Sequence, residues 1–548
     1  MTLQIKNQRV PVLIVGGGLA GLSAALLLAW RGVACLLVER RASTSSHPRA
    51  RGVNLRSLEL LRAIPGLEAE LAAAGRPGTE NFTLVVAESV TGREFHRMVT
   101  PGYIDPHALS PAAICTAGQD RIEPILLRYA RDYGAEICFA TELVDFADDE
   151  RGVHALLRDI DTGKQAAIVA DYLIAADGNR SPVRHRLGIG VHGHGTMSHN
   201  MSILFEADLG AVLRGRGFVH YQIQGPAFSG IFVSTDDPNV GQVAVEYDPA
   251  LETTFDFPPE RTAGLVRAAL GVAELEVEVR EVMPWQRSSQ MADRMAEGRV
   301  FLVGDAAHTM PPNGGLGGQT AIQDAADIAW KLAFVLKDQA GPGLLDTYAI
   351  ERHPVAERTV DRQTTVYLDR VRQRGAPQAG GMDASYLEAA MGYRYRSFAI
   401  LDDAPEDHRL AEDPRQPSGR PGTRLPHAVV TVGDRVISTL DLAGAGFCLL
   451  AGPDGADWAD AAATVAAQCG IEMAAYRAGA DFAGDVPDFL ARTGLGRDGA
   501  LLIRPDGFIA WRGRTPGQDA AKILRTALGR ALFRDIPAGA KQRESRTA

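Results

Sequence analysis

Gly16, Gly18 and Gly21 stand in G-x-G-x-x-G spacing between the apolar run Val12-Leu13-Ile14-Val15 and an Ala/Leu-rich stretch, a strand-to-helix junction that can hold phosphate. Gly16 permits a tight turn, Gly18 lets backbone approach a pyrophosphate, and Gly21 lets the helix pack closely on the sheet, its N-terminus facing the phosphate charge. A second apolar strand, residues 34 to 38, ends at Glu39. An acid about twenty positions past such glycines can bind ribose hydroxyls, which favours FAD or NAD over a 2′-phosphorylated cofactor at this position. Two more carboxylates lie at predicted strand ends. Asp177 closes Tyr172-Leu173-Ile174-Ala175-Ala176 and opens a D-G-x-x-S-x-V-R pattern through Arg184. Asp305 closes Val300-Phe301-Leu302-Val303-Gly304, where it can hold a chain of sugar-like hydroxyls. After it come Pro311-Pro312-Asn313-Gly314-Gly315-Leu316-Gly317-Gly318-Gln319 and a long helical pattern through Lys337. That loop presents free backbone N–H groups and a positive helix end, suited to the negative edge of a reduced flavin.

These signals, in this order, resemble the single-component FAD-dependent aromatic hydroxylases, the p-hydroxybenzoate hydroxylase group. His47-Pro48-Arg49-Ala50 leading to Arg56-Ser57-Leu58-Glu59, together with the Pro-Pro-x-Gly-Gly-x-Gly-Gly loop, looks most like the bacterial aromatic polyketide hydroxylases of the anthracycline type. The resemblance assigns Glu39 and Arg40 to the adenosine end, and Arg49 and Gln119 to the stretch from pyrophosphate to ribityl chain. It places Asp305 on the ribityl chain, Pro312, Gly315, Leu316, Gly317, Gly318 and Gln319 beside the isoalloxazine, and Asp177 in a motif serving FAD and the nicotinamide cofactor. Gln319 stands where the family usually has Asn, so its amide reaches one methylene further toward the flavin pyrimidine edge. Arg51 reads equally as a surface arginine or a phosphate contact, and His308 as packing for the loop after Asp305.

The elements that must position these groups indicate an α/β protein. Rossmann-like FAD-binding segments fall at about 1–80, 105–190 and 290–375. Between the last two, Ile203 and Phe205, then Val219, Tyr221 and Ile223, then Ile231 and Val233, then Val243 and Val245 alternate with polar residues, as expected of an inserted antiparallel substrate sheet. The resulting division is 1–190 (FAD-binding, first part), 191–290 (substrate sheet), 291–400 (FAD-binding, second part, with long helices) and 420–535 (C-terminal domain). The last resembles a thioredoxin-like domain but lacks C-x-x-C, so its expected role is structural. Residues 373–380 and 414–422 read as linkers, and 538–548 as a frayed tail.

The net charge of −10 argues against nucleic acid as a partner, and the apolar run Leu19 to Trp30 is too short to span a membrane. Five cysteines without metal-ligand spacing, and a polar start running straight into the first strand, suggest a reduced cytoplasmic protein; a monomer or homodimer is expected. With no nucleophile motif, zinc cluster or second G-x-G-x-x-G, the flavin itself is the expected reactive centre. The resemblance implies NAD(P)H and molecular oxygen as co-substrates and hydroxylation of a polycyclic aromatic polyketide through a flavin C4a-hydroperoxide. Baeyer-Villiger or ring-rearranging oxygenation is the alternative within the same chemistry, and a non-enzymatic flavoprotein binding an aromatic ligand the alternative outside it. Tyr221 is the candidate for orienting a phenolic oxygen. His220 points to the opposite face of that strand, so at most one of the two meets the pocket.

Overall fold

The computed structural model describes residues 8–75, 83–99, 105–214, 219–372, 384–514 and 519–536, so the linker expected at 373–380 and the tail at 538–548 lie outside it. The chain opens with β1 (Gln8–Val15), α1 (Leu19–Trp30) and β2 (Cys35–Val38). α1 is apolar on every side and buried from Leu19 to Ala29, as a helix between two layers must be. After α2 (Gln119–Asp132), β3 (Glu136–Cys138) extends the parallel sheet beyond β2, and β4 (Gln165–Ala175) returns to the other side of β1. The strand order therefore reverses at β1, which opens a crevice at the C-terminal ends of β1 and β4.

The chain then crosses into a second, eight-stranded sheet through β5 (Val191–Glu206), β6 (Val219–Gln224), β7 (Ser229–Ser234) and β8 (Val240–Tyr247). Helix α3 (Pro259–Leu270) leads to the long β9 (Glu278–Ala292), which pairs with β5. A hairpin at residues 83–99, assigned by the sequence to the first FAD-binding part, joins this sheet, 83–87 pairing in parallel with β6. The sheet is thus not wholly antiparallel, and its edge comes from a segment more than a hundred residues upstream. One face, with Ile203, Phe205, Tyr221, Phe232 and Val243, is apolar and packs on Val266, Ala269 and Leu270 of α3.

β10 (Val300–Leu302) re-enters the first sheet beside β4, followed by the buried α4 (Leu316–Leu336) and by α5 (Asp346–Arg372). The C-terminal domain is built from β11 (Phe447–Ala451), α6 (Ala456–Cys469), β12 (Met473–Arg477), β13 (Ala500–Ile503), β14 (Ile509–Gly513) and α7 (Ala520–Ala531). Its order β12-β11-β13-β14, parallel only between β11 and β12, is the thioredoxin-like arrangement. Trp330 and Phe334 of α4 pack into its core against Phe447. Arg504 brings a buried guanidinium to Glu351 of α5 (2.6 Å), whose carboxylate also accepts from Lys331 (2.7 Å). The domain therefore seals the far end of the helix that begins at the glycine loop 314–318. Among the described residues, no helix is long and apolar enough to cross a membrane.

Candidate active site

The glycines divide by function. A Cβ on Gly16 (φ +107°) would sit 2.2 Å from the Ala176 carbonyl oxygen, and one on Gly21 1.9 Å from that of Gly16, so packing of β1, α1 and β4 forbids a side chain at either. A Cβ on Gly18 would meet nothing nearer than Glu123 Oε1 at 3.8 Å. Its bareness therefore answers to a ligand rather than to the protein, as a pyrophosphate approaching the start of α1 requires. Glu39 braces the turn: its carboxylate accepts from Gly17 N at 2.6 Å and from Arg41 N at 2.9 Å, with Arg40 exposed beside it.

Gln119 pairs with the segment carrying Arg49. Its backbone N–H donates to Ala50 O (2.8 Å) and its side-chain amide to Glu123 Oε1 (2.6 Å). Glu123 in turn accepts from Ser45 N at 2.8 Å, and burial raises its pKa. This buried glutamate ties α2 to the 43–50 segment and was missed from the sequence, where the only signal is an acid four positions after Gln119 on a helix. Arg49 is solvent-accessible, places Nη2 3.0 Å from Met283 Sδ on β9, and interacts with Asp305 across the cleft. Arg51 is neither free on the surface nor aimed at phosphate: it pairs with Asp236 at 2.6 Å and ties the short 51–53 strand to the turn between β7 and β8.

Asp177 caps the 182–186 helix by accepting from Val183 N (3.0 Å), with its pKa raised by burial. Arg184 of the same motif donates to Ala306 O (2.8 Å), linking it to the turn that carries Asp305. The Asp305 side chain reaches solvent through the cleft, although surrounding protein crowds it closely enough to raise its pKa against the pull of His308 and Arg49. That turn is held from behind by Asp324, which accepts from Gly304 N (3.1 Å), His308 Nε2 (2.7 Å) and Arg352 Nε (2.8 Å). His308 thus packs the turn, and Asp324 and Arg352 are buried supporting groups that the sequence showed only as charges within the long helical stretches. Beyond them, Gly314 (φ +74°) and Gly315 (φ +69°) turn the chain into α4, whose start has neither a side-chain cap nor an acid in its first turn. Pro312, Gly314 and Gly315 are exposed and Gly317 and Gly318 half-buried, which leaves the positive helix end open to the cleft. An open surface pocket of about 320 Å³, lined by Phe257, Pro259 and Val279, lies beside α3 at the outer end of β9 and contains none of these groups.

The chain matches the FAD binding domain family over residues 9–363 and the aromatic-ring hydroxylase C-terminal family over 418–533. It belongs to the FAD-dependent aromatic-ring hydroxylases. It is 42% identical to aklavinone 12-hydroxylase RdmE of Streptomyces purpurascens, over 97% of this chain and all of that one (100%). It is also 42% identical to a tetracenomycin A2 monooxygenase-dioxygenase of Streptomyces glaucescens, covering 97% of this chain and 98% of the other. The crystal structure of aklavinone-11 hydroxylase with FAD and aklavinone superposes with a TM-score of 0.89 at 40% identity, covering 97% of this chain and 100% of that one.

The residues present in this hydroxylase fit FAD: a phosphate approach bare of side chains at Gly18, an accessible carboxylate at Asp305, and an uncapped helix end at Gly315 to Gly318 lie along one crevice. Two assignments need correction. The Gln319 amide is spent within the protein, donating to Gly52 O and accepting from Asn54 N, both at 2.9 Å, so it clamps the 51–54 segment instead of reaching for a flavin edge. Tyr221 is fully buried in the apolar core under α3, and its hydroxyl interacts with Arg97. It therefore faces away from the cleft; of the strand pair it is His220 that lies on the other face.

Proposed function

We propose that this hydroxylase uses NAD(P)H and molecular oxygen to hydroxylate a polycyclic aromatic polyketide. The observation that carries the reading is the placement of Gly18, Asp305 and the open start of α4 along the crevice, which the second sheet meets where Met283 touches Arg49. Bound FAD supplies two-electron acceptance from NAD(P)H and activation of oxygen for transfer of one atom to an electron-rich ring. This chain's own groups do the rest. Gly18 and the N-terminus of α1 hold the pyrophosphate, while Glu39 keeps that turn in shape. Asp305 binds the hydroxyl chain, held in place by Asp324. The backbone N–H groups at Gly315 to Gly318 stabilise negative charge on the adjacent ring edge. The second sheet and α5 orient the aromatic substrate and exclude water, without which reducing equivalents escape as hydrogen peroxide. The overall balance is one substrate C–H converted to C–OH, with O₂, NAD(P)H and a proton giving NAD(P)⁺ and water.

We infer a cytoplasmic setting and a monomer or homodimer; the five buried, unpaired cysteines support a reducing compartment. The test of function is substrate-dependent NAD(P)H oxidation under ¹⁸O₂ with aklavinone-type polyketides. A hydroxylated product carrying a single labelled oxygen is expected. Oxidation indifferent to the aromatic compound, or product without label, refutes the proposal, and a labelled lactone assigns ring insertion instead.

A further inference from the structure

The face of the second sheet opposite α3 is polar where an ordinary sheet interior is apolar. In register across β5 and β9 lie Ser202 beside Met283, Asn200 beside Trp285, and Ser198 beside Arg287. Ser198, Asn200 and Ser202 are all buried, and Ser202 accepts from Gln242 of β8 at 2.7 Å. This face meets the cofactor-binding side of the molecule: Met283 touches Arg49, and Thr309, which leads into the 311–319 loop, pairs with Gln290 three residues beyond Arg287.

Arg287 stands out on this wall. It is 9% exposed, and its guanidinium lies 4.7 Å from the ring centre of Tyr367 on α5 and 5.5 Å from that of Trp285. Its Nη1 donates to Ser198 Oγ (2.7 Å) and Tyr367 Oη (3.1 Å), both neutral hydroxyls, while its buried Nε donates to no atom among the described residues. Nor does it form an ion pair among them: Glu246 on β8 and Glu281 on β9 share its face without pairing to it, and Asp369 follows Tyr367 by two positions on α5. A buried cation without a carboxylate is costly unless an anion completes the site. Two aromatic rings flanking that charge suit a planar partner.

We propose that Arg287 is a substrate-binding residue that donates to an ionised phenolic oxygen of the aromatic substrate, thereby selecting rings with an acidic hydroxyl and holding that hydroxyl as the phenolate. The inference rests on the polyketide reading for the size of the ring system, but not for the charge. A phenolate in place of a phenol pushes electron density into the ring that receives oxygen, so the same contact favours the reaction.

The experiment uses FAD-loaded protein and follows the visible absorption of bound aklavinone, 1,8-dihydroxyanthraquinone and its dimethyl ether against pH, with 4-hydroxybenzoate as a monocyclic probe followed in the ultraviolet. On the wild type the bound phenol is expected to ionise about one pH unit or more below its value in solution, and the dimethyl ether to bind at least about 10-fold more weakly than the parent. Arg287→Met should abolish the shift and weaken the hydroxyanthraquinones by about 10- to 100-fold. Arg287→Lys keeps the charge and carries the test if the methionine variant does not retain FAD: the shift persists and affinity falls about 10-fold as the fork geometry is lost. An unchanged shift in R287M, or R287K identical to wild type in both readouts, overturns the assignment and leaves the polyketide reading standing. If only the monocyclic phenol binds, with an Arg287-dependent shift, the arginine's role stands and the polyketide reading falls. No shift on the wild type with any probe refutes the Arg287 assignment.

Discussion

Gln319 offers the sharpest discrimination between a residue that tunes the flavin and one that holds the fold. Its amide joins Gly52 O and Asn54 N at 2.9 Å each, and the residue is 4% exposed. Asn54 is itself the N-cap of the helix Leu55–Leu61, accepting from Ser57 N at 2.9 Å. Gln319→Leu keeps the volume but leaves a backbone donor and a backbone acceptor of the half-buried 52–54 segment without these partners. Each such orphan costs about 1–3 kcal/mol, so the expected loss is about 2–6 kcal/mol. At about 2 °C per kcal/mol for a unit of this size, thermal unfolding of FAD-saturated protein should begin roughly 4–12 °C lower. The reduction potential of the retained FAD should stay within about 10 mV of wild type, since about 30 mV corresponds to 1.4 kcal/mol for a two-electron couple and no contact to the ring is removed. Gln319→Asn, one methylene shorter, spans only one of the two partners and should fall midway in stability. The assays are a melting curve with excess FAD and a dye-coupled redox titration. A fall of about 30–60 mV with an unchanged melting temperature would show that the amide serves the flavin after all, and the clamp argument would be wrong.

Asp305→Ala removes the accessible carboxylate in the cleft and should weaken FAD binding by about 1.5–3 kcal/mol, or about 10- to 150-fold; unchanged flavin occupancy after exhaustive dialysis contradicts the assignment. For Asp324, burial alone would raise the pKa, but Arg352 and His308 outweigh it and hold the carboxyl below its usual range. Its contribution is therefore complete above the unfolded value near 4 and is lost as pH falls through the lower folded value. Asp324→Asn should cost about 3–5 kcal/mol at neutral pH and flatten the acid limb of the stability profile, which chemical denaturation from pH 7 to 3 would reveal. All five cysteines are buried, with Cys35 pushed up to about 12 and Cys448 higher still by burial, so none should react with a disulfide reagent at pH 8 until the protein is denatured. Rapid native titration of any thiol would show that its burial is not maintained in solution.

Much of the cofactor cleft was legible in the sequence because its parts are local. A glycine spacing encodes a turn between bonded neighbours, and a carboxylate directly after an apolar strand lands at the edge where parallel sheets gather ligands, as Glu39, Asp177 and Asp305 each do. Alternation likewise separated Tyr221 from His220 without saying which of the two faces was core. Only the position of α3 decides that, by burying Tyr221 with Phe232 and Val266. The partners of Gln319 lie more than 260 residues earlier in the chain, so no local pattern could announce that its amide was already engaged. The hairpin at 83–99 reads as two short strands by itself, and its sheet is chosen by a parallel pairing with β6 that depends on the whole second layer being in place. Arg287 depends on the longest chain of conditions: the register of β5 on β9, with its irregularity between Thr196 and Ser198, sets the face on which it lies, and the packing of α5 supplies Tyr367. Residue type and short spacing thus determine which groups can hold phosphate, ribose and sugar hydroxyls. Which side chains are already satisfied by distant backbone, and which buried charge meets only neutral partners, is decided only when remote segments meet, because hydrogen bonding and burial depend on proximity in space.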